Sequence, residues 1–192
     1  SYFFPAYQQD RMTATWYEAD FVDCFGIVEE GRAIKSPEEL AVMRKAAEAG
    51  VDGLILVANG AGGHAGIINP FALINEVRSF FDGTIILSGC LSTGQDIAGA
   101  ITLGADFAYM GTRFINTTEA MAQDAYKAMI VDSGASDITY TPAVSGIPAN
   151  FLTPSLIENG IDPKTLPEHK LDMADEAKAW KTVWSAGQGA GS

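Results

Sequence analysis

The feature that most constrains this chain is a rhythm: from Ser36 to Met110, helical patterns alternate with short apolar runs. Ser36-Pro37-Glu38-Glu39 predicts a helix start, with Ser36 as N-cap, Pro37 at the first helical position and Glu39 completing a capping box. Leu40, Met43 and Ala47 recur at helical spacing, and Gly50 stands where a left-handed C-terminal cap is needed. Val51 to Val57 (VDGLILV) then reads as a parallel strand buried on both faces. The unit repeats, with a helix from Pro70 to Phe81, a turn at Asp82-Gly83 and a strand from Thr84 to Ser88. It repeats again, with a weaker helix from Gly94 to Leu103, a stop at Gly104 and a strand from Asp106 to Met110. Thr117 then caps a helix from Glu119 to about Val131. Strands that alternate with helices in this way form a parallel α/β sheet with right-handed crossovers, either an open sheet or a barrel.

Composition narrows the partners. In 192 residues, 47% hydrophobic and 19% charged, Lys and Arg number 12 against 24 Asp and Glu, a formal charge of −12. That surface repels nucleic acid and anionic lipid. The longest apolar run, around Leu54 to Ala58, falls far short of the roughly 20 residues that cross a bilayer, and SYFFPAYQQDR carries no basic leader, so a cytoplasmic location is expected. Cys24 and Cys90 lie far apart with no metal-binding spacing, so neither a disulfide framework nor a zinc site is expected.

Two segments depart from the rhythm. Residues 1–30, rich in aromatics such as Trp16, Tyr17, Phe21 and Phe25, have no clear period and read as a leader of unclear fold. Residues 31–132 hold the repeating units. Residues 133–192 are loop-rich, with Pro142, Pro148, Pro154, Pro163 and Pro167, then a helix near Ala174 to Trp184 and a glycine-rich tail; they read as a cap and return segment, not another βα unit.

Each strand leads into a loop of small residues: ANGAGGHAG at 58–66, SGCLSTG at 88–94 and GTRF at 111–114. In parallel α/β structures the carboxyl ends of the strands carry the site, and loops without bulky side chains let backbone N–H groups approach a ligand. Gly89 with Cys90, and Gly111 with Thr112, follow consecutive strands, as in a barrel phosphate site held by amides and one hydroxyl. Taken singly, Gly62, Gly63 and Gly89 could serve only tight turns; three such loops on one edge favour a ligand. His64 is one of two histidines. Its place in a glycine-rich loop beyond a strand suits a base that titrates near neutrality, whereas His169 lies in a polar stretch. Cys90 reads as small filler whose backbone matters, Arg113 serves either phosphate or fold, and Trp180 with Trp184 reads as core.

These residues carry a resemblance. AGGHAG after a strand, a strand ending in SG, LGADFAYMGTRF followed by Thr and Glu, and Trp184 to Gly189 resemble the flavin-dependent nitronate monooxygenases, over about residues 37–192. The resemblance implies an FMN-containing (β/α)8 TIM barrel that oxidises alkyl nitronates with oxygen. His64 would be the catalytic histidine. Gly62, Gly89, Cys90, Tyr109, Met110, Gly111 and Thr112 would contact FMN, and Gln188 and Gly189 would lie near the site mouth. Gly60 replaces the Glu, and Tyr109 the Gln, of many relatives, which leaves main-chain contacts possible and alters side-chain ones. A full barrel needs about 250 residues, so the chain is expected to supply the last three βα units, with a homo-oligomer or a further segment completing the barrel. A flavin-dependent enoyl-acyl-carrier-protein reductase, and a non-catalytic fragment or mosaic, are the alternatives. The stretch EEGRAIKSPEELAVMRKAAE, within residues 1–47, also resembles the segment ahead of the catalytic domain in creatinase-type metallopeptidases; it implies no metal site.

Overall fold

The computed structural model describes residues 37–144, 147–162 and 182–191. The aromatic leader, the Ser36 cap, Cys24, His169 and Trp180 lie outside the described residues. The first helix, α1, is Pro37–Glu48, and Gly50 follows it at φ +80, the left-handed stop its position requires. Strand β1 is Gly53–Val57, and a two-residue strand, β2, is Gly63–His64. Helix α2 is Pro70–Arg78, shorter than its pattern suggested. Asn69 caps it by accepting from the Phe71 N–H, and Phe81, beyond its end, is buried.

Strand β3 is Thr84–Ser88 and helix α3 is Gly94–Thr102. A capping box starts α3: Thr93 accepts from the Asp96 N–H, and the Asp96 carboxylate accepts from the Thr93 N–H. Strand β4 is Phe107–Tyr109. The sheet order is β1-β3-β4, all parallel, with Leu56 opposite Leu87 and Leu87 opposite Ala108.

One face of this sheet is the core. Leu54, Leu56, Ile85 and Leu87 are buried against Leu73, Ile74 and Val77 of α2 and Ala100 of α3. The expectation that β1 is buried on both faces is corrected: Ile55 is 54% exposed, and it lines up across the sheet with Ile86 and Phe107, the latter 59% exposed. A continuous apolar run reports that both faces are apolar, not that both are covered.

At the amino ends of the strands Arg78 closes the layer. Its guanidinium donates to the carbonyls of Gly83 and Gly104 and, at 2.7 Å, to the Asp106 carboxylate, which also accepts from the Ile85 N–H.

After β4 come the short helix α4, Thr112–Ile115, and then α5, Asp124–Asp132. The expected cap at Thr117 is corrected: its hydroxyl donates to the Phe114 carbonyl, ending α4, and Gln123 precedes the first turn of α5. The 133–192 region also holds strands that its prolines concealed. Strand β5, Ile138–Thr141, and strand β6, Ala149–Leu152, pair antiparallel, and β6 pairs in turn with β2. Helix α6, Thr153–Glu158, follows. Of the helix expected near Ala174 to Trp184, all but 182–184 lies outside the described residues, and Trp184 itself is not helical: its backbone carbonyl accepts from Leu152 and its ring stacks on Tyr126 at 5.1 Å.

Candidate functional site at the carboxyl ends of the strands

Parallel strands that run together also end together, so the loops after β1, β3 and β4 share one edge. What joins them is the segment from Ser185 to Ala190. The Gln188 N–H donates to the Gly60 carbonyl at 2.8 Å, in the loop after β1. The Ser92 hydroxyl, after β3, donates to the Gly189 carbonyl at 2.8 Å. The Gly187 N–H donates to the Thr112 hydroxyl at 2.9 Å, after β4. The Tyr126 hydroxyl on α5 anchors the start of the segment by donating to the Ser185 carbonyl.

Glycine is required here for close approach between backbones. A Cβ at Gly62 would lie 2.8 Å from the Gly187 nitrogen and 3.1 Å from the Thr112 hydroxyl oxygen. One at Gly187 would lie 2.8 Å from the Gly60 oxygen. Gly62 therefore packs against the return segment. Gly111 differs: a Cβ there meets nothing within 4 Å, so the backbone beside Thr112 faces open space.

The turn after β3 is strained. Gly89 has φ +123 and is buried, and Cys90 follows with φ +57, a left-handed conformation that costs a residue with a side chain roughly 1–2 kcal/mol. The Cys90 thiol lies 3.5 Å from the Asn59 carbonyl and 3.6 Å from the Gln188 amide oxygen. Burial, followed by the nearby Asp96 carboxylate, raises its pKa above the ordinary thiol value. That is the environment of an inert thiol. Asp96 itself is held below the usual carboxylate range by the N–H groups of Ser92 and Thr93.

His64 sits in strand β2, not in a free loop. It pairs with Ala149, which is fully buried, and its Nε2 is shielded from solvent. Two side chains on β5 and β6 reach the same loop: Asn150 Nδ2 donates to the Ala61 carbonyl at 2.7 Å, and the Tyr140 hydroxyl donates to the Ala65 carbonyl at 3.1 Å.

Of the residues singled out from the sequence, Gly62, Cys90, Thr112, Gln188 and Gly189 converge directly or through one shared neighbour. Tyr109 lies across from Ser88 on the open face of the sheet and is 56% exposed; Met110 is half-buried and Arg113 is exposed on α4. The sequence pointed to Gly60 only as a departure from relatives and to Gly187 only as part of the Trp184 to Gly189 segment, and it did not single out Ser92, Tyr140 or Asn150. A polar Asn inside the apolar run ANFL was the one available signal. Among the described residues, no group of three His, Cys, Asp or Glu side chains is placed to hold a metal, and no helix is long and apolar enough to cross a membrane.

The family profile for nitronate monooxygenase matches residues 32–188. A nitronate monooxygenase of Paraburkholderia phytofirmans is 30% identical over 143 residues, 70% of this chain and 39% of that protein. A (3aS,4S,5R,7aS)-5-hydroxy-7a-methyl-1-oxo-octahydro-1H-indene-4-carboxyl-CoA dehydrogenase of Mycobacterium tuberculosis is 32% identical over 118 residues, 60% of this chain and 33% of that protein. Among solved structures, a nitroalkane oxidase from Streptomyces ansochromogenes superposes with a TM-score of 0.64 at 27% identity, covering 79% of this chain and 50% of that one. FabK from Thermotoga maritima gives 0.61 at 27% identity, covering 82% and 53%. These solved neighbours are TIM barrels; the chain spans about half of each, and its parallel sheet, among the described residues, is not closed.

Proposed function

The chain belongs to the nitronate monooxygenase family, a family of flavin-dependent oxidoreductases, and from that premise we propose that it serves FMN-dependent oxidation of alkyl nitronates by oxygen, with His64 as the catalytic histidine. The observation that carries this reading is the convergence of three strand-end loops on one return segment, with open space at Gly111. The residues present suit a flavin phosphate: Gly111 offers backbone that a side chain would otherwise screen, and Thr112, which accepts from Gly187, keeps its own hydroxyl hydrogen to donate. Gly89 and Cys90 would add main-chain contacts, Gly62 and Met110 would line the cradle, and Tyr109 would flank it from the sheet.

Bound flavin would supply the redox chemistry, taking electrons from the substrate and passing them to oxygen. The chain's own contribution is binding and proton transfer. His64, held in β2 with a shielded Nε2, would orient an anionic nitronate or, as neutral imidazole, accept the Cα proton of a nitroalkane. No carboxylate is needed for that step.

A second reading is favoured by one observation: a relative named for a carboxyl-CoA substrate is as similar as one named for nitronates. The same edge would then serve an acyl thioester, as in a flavin-dependent enoyl-acyl-carrier-protein reductase. The flavin absorbance spectrum of the purified protein tests the cofactor. Oxygen consumption with a nitronate, against NAD(P)H oxidation with an enoyl thioester, separates the two substrates. A protein that takes up no flavin under any condition overturns both readings.

A further inference from the structure

The β5–β6 pair belongs to no repeating unit, yet it touches the histidine loop three times. In the antiparallel register Gly63 faces Asn150, and Asn150 faces Tyr140, so the three residues form one row across the small sheet. Directly opposed residues project to the same face. From that row Asn150 reaches the Ala61 carbonyl at 2.7 Å and Tyr140 reaches the Ala65 carbonyl at 3.1 Å. The two carbonyls bracket His64, and the backbone of His64 is itself paired with Ala149.

Asn150 is only 2% exposed. A buried amide needs its partners, so its bond to Ala61 is one the fold has to keep once Asn150 stands in this strand. The neighbouring Thr139 makes its own side-chain bond away from this loop, to Thr153 at 2.9 Å.

We propose that Tyr140 and Asn150 are positioning residues for His64, fixing the main chain on both sides of it so that its imidazole keeps one orientation. The proposal rests on the reading of His64 as catalytic, but its test does not need flavin. Neither residue is offered as a proton donor or as a contact to substrate.

The experiment is amide hydrogen exchange across residues 61–66, with the imidazole 1H–15N spectrum, on the full chain and on Tyr140→Phe, Asn150→Ala and Thr139→Val. His64 and His169 are the two histidines of the chain, so the imidazole region is simple to assign. Tyr140→Phe is expected to speed exchange at His64 to Gly66 roughly two- to tenfold, the local opening that one lost hydrogen bond allows. It should also move the His64 imidazole signals, and Asn150→Ala should do more. Thr139→Val, which removes a hydrogen bond from the same strand, should leave both readouts unchanged. If Asn150→Ala fails to fold, Tyr140→Phe, at an exposed ring, decides alone. Unchanged exchange and imidazole signals in Tyr140→Phe, or equal changes in Thr139→Val, overturn the proposal. Absence of flavin binding would bear on the proposed function and leave this outcome intact.

Discussion

The Gly187 N–H donates to the Thr112 hydroxyl at 2.9 Å, so the hydroxyl that suits a phosphate is already held from within the chain. Its orientation is fixed by a buried backbone group, and its hydrogen is directed elsewhere. The first prediction follows from the pairing. Thr112→Val leaves the Gly187 N–H buried without its acceptor, a loss of about 1–3 kcal/mol, and removes the donor proposed for the flavin phosphate. Thr112→Ser should preserve both. Thermal unfolding with and without added FMN checks this, and a Thr112→Val protein as stable and as flavin-loaded as the parent would refute it.

Two glycines of this edge should respond in opposite ways. Gly187→Ala pushes a Cβ to 2.8 Å from the Gly60 oxygen, a main-chain atom that cannot swing aside, and should cost about 1–3 kcal/mol of stability. Gly111→Ala meets nothing within 4 Å and has no positive φ, so stability should change by less than about 0.5 kcal/mol. Its methyl group enters the proposed cradle, however, and flavin affinity should fall about tenfold, or ~1.4 kcal/mol. Denaturant midpoints and FMN titrations on the pair separate packing from ligand binding.

The parallel sheet was legible because three helix-to-strand repeats with short crossovers leave one strand order, and that order is observed for β1, β3 and β4. The convergent loops were legible for the same reason. Strands β5 and β6 were not: ITYT and ANFL are short, are separated by prolines, and make their backbone bonds to elements remote in sequence, including Trp184 and the His64 strand. The left-handed Cys90 was hidden as well, since nothing in a Gly-Cys pair signals that both adopt positive φ. Thr117 misled because a hydroxyl that can cap a following helix can equally close the preceding one.

Cys90 gives a prediction in pH. Burial raises its folded thiol pKa above the value of the unfolded chain. Well below about pH 8.5 the thiol is neutral in both states and no penalty arises. As pH rises past that point the unfolded chain ionises first, and stability falls until the pH passes the folded value. Cys90→Ala should flatten this alkaline loss. Site-resolved alkylation should also show Cys90 reacting more slowly at pH 8 in the folded protein than in denaturant; equal rates would contradict the burial argument.

The measurement that tests the central claim most directly is turnover of a neutral nitroalkane by flavin-loaded protein before and after His64→Ala, with flavin content read from the same samples. Removing a positioned base typically costs 10²- to 10⁴-fold in rate, whereas the phosphate is proposed to be held by the Gly89 and Gly111 loops. The prediction is a loss of at least about a hundredfold with flavin content unchanged, and a smaller loss on the already deprotonated nitronate. Full activity on both substrates in a flavin-loaded His64→Ala protein would contradict the account and leave His64 as a structural residue of β2.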